Sequence, residues 1–270
     1  MIIIGEKLNG AIPAVKTAIE KRDAAYLREL AVRQTQCGAD YLDICAGTSP
    51  EAEEDTLRWM MDVVQEAVET PLCIDSPNLH ILERALSRAK RPGLLNSISG
   101  ESGKRSAILS LMQGTEWQVI AQTMDDGGIP PDPEGRAKIA GTIIETAARL
   151  GVTPDRLHVD PLVTAISADN RSALTFAQTA LRIKALFPAV KITAAVSNIS
   201  FGMPLRRILN QQFYAIAAYV GLDSALLDPC NRDLLGSILA TQALLGQDRL
   251  CRNFTNAYRR DQIGPVRLNG

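Results

Sequence analysis

Carboxylate and amide side chains recur in this chain directly after short apolar runs. The clearest cases are Glu6 and Asn9 after III, Asp43 after YL, Asp75 after LCI, Asn96 after LL, Asp160 after LHV and Asn198 after AAVS. These residues have no His or Cys companions of the kind that form a zinc site. Acid-rich magnesium sites usually include phosphate-binding partners, which are missing here. The pattern therefore predicts a ring of hydrogen-bonding groups and no metal.

A bicyclic heterocycle with a guanidine-like edge would suit such a ring. Carboxylates accept hydrogen bonds from the N–H groups of that edge, and amides both donate and accept. For any single position the alternative is that the side chain only caps the next helix or braces a turn. A whole set of such residues at strand ends favours a ligand site.

The elements that must position these residues are strands, because apolar runs of three to five residues are too short for helices. Eight such runs occur, near 2–4, 41–44, 72–74, 93–95, 118–121, 157–159, 192–196 and 225–227. Each run is followed by a helix-like stretch. Eight strand–helix units predict a (β/α)8 TIM barrel, whose active face is built from the loops that follow the strands.

Helix signals between the strands support this count. Ser49-Pro50 and Ser76-Pro77 place a capping residue before a proline suited to the first helical turn. Helical patterns cover residues 134–150, 171–187, 204–219 and 232–245. Gly38, Gly151 and Gly221 follow helical segments, at positions where a left-handed C-cap is favoured.

Length and composition fit one domain over residues 1–270, with 254–270 as a C-terminal tail. The chain has 270 residues, 46% of them hydrophobic, a net charge of -1 and a pI near 6.2. These values disfavour nucleic acid or an anionic membrane as a partner. No signal peptide and no run of about 18 apolar residues occurs. Five cysteines without a CxxC pair favour a cytoplasmic protein.

The motifs IIIGEKLNG, LCIDS, LLNSIS, LHVDPL and AVSNISFG resemble, in order and spacing, the methyltetrahydrofolate:corrinoid protein methyltransferases. The resemblance covers residues 2 to about 250 and extends to the folate module of cobalamin-dependent methionine synthase. It implies a pterin-binding barrel of the dihydropteroate synthase type. The implied activity is that of an EC 2.1.1 methyltransferase, which moves a methyl group between N5 of 5-methyltetrahydrofolate and the cobalt of a corrinoid protein, in either direction.

The resemblance also implies roles for individual residues. Asn198 would hydrogen-bond N5 and act as the catalytic group. Three residues would hold the polar edges of the pterin, with Asp160 at the guanidine-like edge: Asp75, Asn96 and Asp160. Three others at strand ends are expected to line the site: Glu6, Asn9 and Gln122.

The cobalamin must come from a separate corrinoid protein, because the chain lacks a DxHxxG signature. That partner would dock at the barrel mouth, against loops such as MDDGGIPPDPEG. A homodimer is expected by analogy with relatives that pair through barrel helices. Tetrahydrofolate is the expected small-molecule partner.

Three alternatives remain open: a dihydropteroate synthase-like condensing enzyme, a non-catalytic folate-binding module and a metal-dependent aldolase-like barrel. The seventh-strand segment AAVSNISFG lacks the lysine expected of the first. No His–carboxylate cluster or strand-end lysine supports the third. His80 and His158 are expected to be structural, and Cys45, where relatives often carry Asn, is interpreted as buried filler.

Overall fold

Eight parallel strands close into a barrel in sequence order, as the computed structural model of residues 1–265 shows. The strands are β1 (Ile2–Asn9), β2 (Tyr41–Cys45), β3 (Leu72–Asp75), β4 (Leu94–Ile98), β5 (Gln118–Gln122), β6 (Leu157–Asp160), β7 (Lys191–Ala195) and β8 (Leu222–Leu227). Each overlaps one of the eight apolar runs. The predicted (β/α)8 fold is therefore confirmed.

Helices surround this barrel. They are α1 (Pro13–Glu20), α2 (Ala24–Gln36), α3 (Pro50–Ala67), α4 (Leu79–Arg88), α5 (Ser102–Leu111), α6 (Pro133–Arg149), α7 (Ser172–Leu186), α8 (Arg206–Tyr219), α9 (Arg232–Leu244) and α10 (Arg252–Arg259). The four helical ranges predicted from periodicity are confirmed to within two residues at each end. The helices run back between successive parallel strands, as such crossovers require.

Helix ends agree with the sequence signals except at one position. Gly38, Gly151 and Gly221 adopt positive φ values of 94°, 76° and 96°, as a left-handed C-cap demands. Helix α3 starts at Pro50 as predicted. The Ser76-Pro77 prediction is wrong, because Asn78 caps α4 and that helix begins two residues after the proline. Ser76 instead donates a hydrogen bond to Glu53 at 2.5 Å.

The alternation of side chains along each strand divides the barrel into an inner and an outer surface. Outward residues such as Leu42 and Ile44 belong to the large apolar core between strands and helices. Inside the barrel, a small separate core forms a plug across the middle, consisting of Ile4, Cys73, Leu94 and Ile120. Polar side chains lie above and below this plug, so the two ends of the barrel interior can differ in chemistry.

The connection from β5 to α6 is irregular over residues 123–132, with a tight turn in which Asp125 pairs with Gly128. Part of the predicted C-terminal tail forms α10, and Ala257 and Ile263 are buried there. Residues 266–270 of that tail lie outside the described residues. Within the described part of the chain, no helix has the length and apolar character needed to cross a membrane.

Candidate active site

A cavity of about 730 Å³ lies at the C-terminal ends of the strands. Its lining comes from β1–β4, from the segments after β7 and β8, and from helices α1, α8 and α9. The residues singled out by the sequence pattern that line it are Glu6, Asn9, Asp43, Asp75, Asn96 and Asn198. The barrel thus brings together side chains that are up to 192 positions apart in the sequence, counted from Glu6 to Asn198.

One half of the cavity floor consists of two carboxylates and an amide on adjacent strands. Asp75 on β3 lies in register with Asn96 on β4. The Asn96 Nδ2 group donates a hydrogen bond of 3.1 Å to Asp43 Oδ1. Because that donor is directed towards Asp43, the carbonyl oxygen of Asn96 remains as the acceptor for a ligand. The floor therefore presents acceptors.

The carboxylates on this floor are buried close to one another. Burial and, to a smaller extent, the neighbouring charge of Asp75 raise the pKa of Asp43 to about 7. Burial likewise raises the pKa of Asp75 above its usual value. Buried acids of this kind gain most from a ligand that donates N–H groups or carries positive charge, since such a ligand stabilises their ionised form.

Glu6 and Asn9 line the cavity from β1, the neighbour of β2 in the barrel. Burial raises the pKa of Glu6, and Ser197 Oγ donates to Glu6 Oε2 at 3.2 Å. Asn9 Oδ1 accepts from the Ala11 amide at 2.9 Å and so braces the turn after β1. The amide nitrogen of Asn9 is then the group it can offer to a ligand.

Gln122 and Asp160 lie in register at the ends of β5 and β6, but neither is among the residues that line the cavity. Burial raises the pKa of Asp160 to about 7. Its Oδ1 accepts from the Leu162 amide at 2.8 Å, which leaves Oδ2 for a ligand. Arg136 holds the same loop by donating to the carbonyl of Leu162 at 2.6 Å. The positive charge of Arg136 lowers the pKa of Asp160, but by less than burial raises it.

Asn198 is exposed on a short 3-10 segment, Val196–Ser200, directly after β7. Arg206 braces this segment by donating to the Ser197 carbonyl at 2.8 Å and to Ser200 Oγ at 3.0 Å. The backbone under Asn198 is therefore fixed, while its side chain faces the cavity. A hydrogen-bonding amide is held at the mouth without being used by the fold.

Some lining residues were not found from the sequence. Asp228 lines the cavity and directly follows the apolar run of β8, as the other strand-end acids follow theirs. The same sequence pattern would therefore have predicted it. It forms an ion pair with Lys7 at 3.2 Å. Asn210 on α8 also lines the cavity, and its buried Oδ1 has no donor among the described residues. A helical position such as Asn210 carries no strand-end signal.

Both histidines occupy places that fit structural roles. His158 is fully buried below the middle plug, where Ser224 Oγ lies 2.7 Å from its Nδ1 and Gln118 Oε1 lies 2.9 Å from its Nε2. His80 is exposed on α4, with its Nδ1 3.5 Å from Glu83. Within residues 1–265, no cluster of three or more His, Cys, Asp or Glu side chains is placed to hold a metal ion.

Cys45 differs from the expected buried filler, because it is half-buried and lies in register with Asp75 on the neighbouring strand. Burial together with Asp75 raises the pKa of its thiol to about 12. A thiol with such a pKa stays protonated near neutral pH and does not act as a nucleophile.

Comparisons with known proteins agree with this geometry. The family model for pterin binding enzymes matches residues 14–228. The chain is 50% identical over 268 residues to the methylcorrinoid:tetrahydrofolate methyltransferase of Eubacterium limosum, covering 98% of this chain and 99% of that protein. It is 25% identical to the methionine synthase of Mycobacterium tuberculosis over 86% of this chain, which is 21% of that protein.

Solved structures that resemble the barrel include dihydropteroate synthases. The enzyme from Stenotrophomonas maltophilia matches with a TM-score of 0.68 and 16% identity, covering 93% of this chain and 94% of that chain. The enzyme from Xanthomonas albilineans with 4-aminobenzoic acid has a TM-score of 0.67 and 20% identity over 92% of this chain and 93% of that chain. At this identity the likeness concerns the fold alone.

Proposed function

This chain belongs to the pterin binding enzymes and, among them, to the methyltetrahydrofolate:corrinoid protein methyltransferases, and on that premise we propose that it methylates N5 of tetrahydrofolate from a methylated corrinoid protein. It is an EC 2.1.1 methyltransferase. The observation that carries this proposal is the 50% identity, over 98% of the chain, to a methylcorrinoid:tetrahydrofolate methyltransferase. The name of that relative supports the direction of transfer, towards tetrahydrofolate.

The residues at the barrel mouth fit a pterin. Its guanidine-like edge is rich in N–H donors, and within residues 1–265 no lysine or arginine forms an ion pair with the buried carboxylates Asp43, Asp75 and Asp160. Hydrogen bonds from that edge would restore the stabilisation that these acids lose on burial. A cavity of about 730 Å³ has the size typical of small-molecule sites.

The binding roles follow from this fit. Asp160 Oδ2, Asp75 and the carbonyl of Asn96 would hold the polar edges of the pterin, with Asp160 at the guanidine-like edge. Glu6, Asn9 and Gln122 would complete the ring of polar contacts. Because Asp160 and Gln122 are not part of the cavity lining, binding at that side requires the pterin to extend over the C-terminal ends of β5 and β6.

Asn198 would act at N5. The docked corrinoid supplies the methyl group, and N5 becomes positively charged as it is methylated. The side-chain oxygen of Asn198 accepts a hydrogen bond from N5–H, and this bond strengthens as the charge develops. An interaction that is stronger in the transition state than in the ground state accelerates the reaction. Arg206, which fixes the segment beneath Asn198, keeps this amide in place.

The corrinoid would be carried by a separate protein that docks at the mouth, near the β5–α6 connection. We also propose a cytoplasmic location, which five free cysteines support. A homodimer is supported by apolar side chains that are exposed on consecutive outer helices, namely Leu174 and Leu181 on α7 and Tyr219 on α8. Analytical ultracentrifugation would test the dimer.

The function is tested by following methyl transfer from methylcobalamin to tetrahydrofolate, with tetrahydrofolate binding measured separately by titration calorimetry. For Asn198→Ala we expect the rate of transfer to fall by about 10²-fold or more, as for the loss of a donor or acceptor at a developing charge, with affinity largely kept. Asn253→Ala, an exposed asparagine on α10, is the matched control and should keep full activity.

Each alternative gives a different result. A non-catalytic folate-binding module would bind tetrahydrofolate but transfer no methyl group, even with its cognate corrinoid protein. A condensing enzyme would join a pterin pyrophosphate to 4-aminobenzoate. Absence of tetrahydrofolate binding would contradict the proposed function.

A further inference from the structure

Adjacent strands of the barrel carry the same two residue types in mirrored order. β2 ends in the letters DIC and β3 ends in CID. The strand register pairs Asp43 with Cys73 and Cys45 with Asp75. Residues two apart on a strand point to the same face, and both acids line the cavity, so all four side chains face the barrel interior.

Each thiol faces the carboxylate of its register partner. Cys45 lies beside Asp75, and Cys73 lies beside Asp43. An ionised carboxylate can only accept, so the thiol is the group of each pair that can donate. Both thiols keep their proton to donate, because burial and the adjacent acids raise the pKa of Cys45 to about 12 and that of Cys73 well above its usual value.

The two pairs differ in how much they depend on the thiol. Asp43 has a second side-chain donor, because Asn96 Nδ2 lies 3.1 Å from its Oδ1. For Asp75, Cys45 is the side-chain donor that the described residues provide. The middle plug contains Cys73, whose loss would also disturb packing. Cys45 is half-buried behind Asp75 and is not part of the cavity lining.

Building on the proposed function, we propose that Cys45 is a positioning residue whose thiol holds the Asp75 carboxylate in the orientation that binds the pterin. It acts through Asp75 and does not touch the substrate. Alternative rotamers of Asp75 would turn the carboxylate away from the ligand, and one fixed donor opposes that rotation.

The charges around Asp75 make the thiol more important. Asp75 faces Asp43 on β2 and Glu53 on α3, and both acids disfavour its ionised form. Glu53 is itself held by Ser76 Oγ at 2.5 Å. Removing the Cys45 donor therefore raises the pKa of Asp75 further. If the pterin requires the ionised carboxylate, its binding should be lost at a higher pH in the absence of the thiol.

Cys45→Ala and Cys45→Ser test this role. We expect Cys45→Ala to weaken tetrahydrofolate affinity about tenfold, which is about 1.4 kcal/mol, with a smaller effect on kcat. The acid limb of the pH profile of binding should move to higher pH. Cys45→Ser keeps a donor and should restore both affinity and pH profile. Cys251→Ser, an exposed thiol far along the chain, is the matched control.

Unchanged affinity and pH profile in Cys45→Ala would overturn the positioning role. Equal losses in Cys45→Ala and Cys45→Ser, together with a lower melting temperature, would also overturn it, because they would indicate packing. Wild-type protein that fails to bind tetrahydrofolate would instead overturn the proposed function itself. These outcomes are separated by measuring the wild type, both Cys45 variants and the control by the same titration.

Discussion

The two ends of the barrel interior use polar side chains in opposite ways. At the lower end, Gln118 Nε2 donates to the Tyr41 hydroxyl at 2.9 Å, and the Gln118 carbonyl accepts from His158 at 2.9 Å. Lys191 donates to the same carbonyl at 3.1 Å, and Ser224 donates to the other nitrogen of His158 at 2.7 Å. Each of these side chains therefore has a hydrogen-bond partner within the protein.

At the upper end, Asp43, Asp75 and Asp160 form no ion pair among the described residues, and each keeps acceptor capacity free. Asp43 and Asp160 each have a pKa raised to about 7, mainly by burial. A buried polar group costs stability unless it is fully paired, so these acids are unfavourable for the fold alone. The difference indicates that the lower polar groups serve the fold, whereas the upper acids keep acceptors available for a ligand. The variants below test that distinction.

The largest effect is expected at the lower end. His158→Ala removes a fully buried ring and leaves Ser224 and Gln118 without their partner. We expect the free energy of unfolding to fall by about 4 kcal/mol, from the cavity and the unpaired groups together. Urea denaturation measures this change. Tetrahydrofolate affinity of the folded variant should be unchanged.

His80→Ala is the control for that experiment, because His80 is exposed on α4. It should alter the free energy of unfolding by less than about 0.5 kcal/mol. Weaker tetrahydrofolate binding by His158→Ala at unchanged stability would contradict the division between the two ends.

The next effect is expected at the upper end. Asp160→Asn keeps the size of the side chain but removes the charge that would face the guanidine-like edge. We expect tetrahydrofolate affinity to fall by about 10²-fold, as for the loss of one hydrogen bond to a charged group. Titration calorimetry measures this loss.

Stability provides the contrast with His158→Ala. Because no lysine or arginine within residues 1–265 forms an ion pair with Asp160, Asp160→Asn should not lower the free energy of unfolding. Asp155 lies just before the N-terminal end of β6, the strand that ends in Asp160. As a control, Asp155→Asn should bind tetrahydrofolate as the wild type does. If Asp160→Asn binds tetrahydrofolate with wild-type affinity, Asp160 does not contact the pterin.

The two ends should also respond to pH with opposite signs. Asp43 has a folded pKa of about 7 against an ordinary value near 3.8, so the folded state holds more protons and stability falls as pH rises from about 4 to about 7. His158 has a folded pKa of about 3 against 6.5, lowered by burial and by Lys191. Its contribution is complete above pH 6.5 and is lost as pH falls towards 3.

Urea denaturation across pH 4–8 separates these contributions. Asp43→Asn should be more stable than the wild type at pH 8, by roughly 1–2 kcal/mol, and the difference should shrink towards pH 4. His158→Gln should instead flatten the loss of stability below pH 6.5. A constant difference between Asp43→Asn and the wild type at all pH values would contradict a raised pKa for Asp43.

The sequence predicts the barrel well because short buried strands and capped helices are local signals. The eight strands and the glycine C-caps are such cases. The Ser76-Pro77 signal failed, since Ser76 is engaged by Glu53 on another helix, and a local pattern contains no such partner. Most strand-end acids and amides were found for the same local reason.

The parts of the site that sequence could not supply depend on contacts between distant elements. Asn210 lies on a helix, where polar residues are ordinary, and only packing shows that its Oδ1 is buried. The placement of Cys45 beside Asp75 requires the register of β2 against β3. Arg136, on α6, fixes the loop after Asp160 by donating to the carbonyls of Pro161 and Leu162.

The smallest effect sharpens the comparison at the lower end. Tyr41→Phe removes the hydroxyl that accepts from Gln118 Nε2 and keeps the ring that packs against the middle plug. Because a buried donor loses its acceptor while little volume changes, we expect a loss of about 1 kcal/mol in the free energy of unfolding. Tetrahydrofolate affinity and methyl transfer should remain at wild-type values. Tyr219→Phe, at the exposed end of α8, is the matched control. A change in tetrahydrofolate affinity at an unchanged free energy of unfolding in Tyr41→Phe would contradict the division between the two ends. It would show that the lower network influences the ligand site through the middle plug.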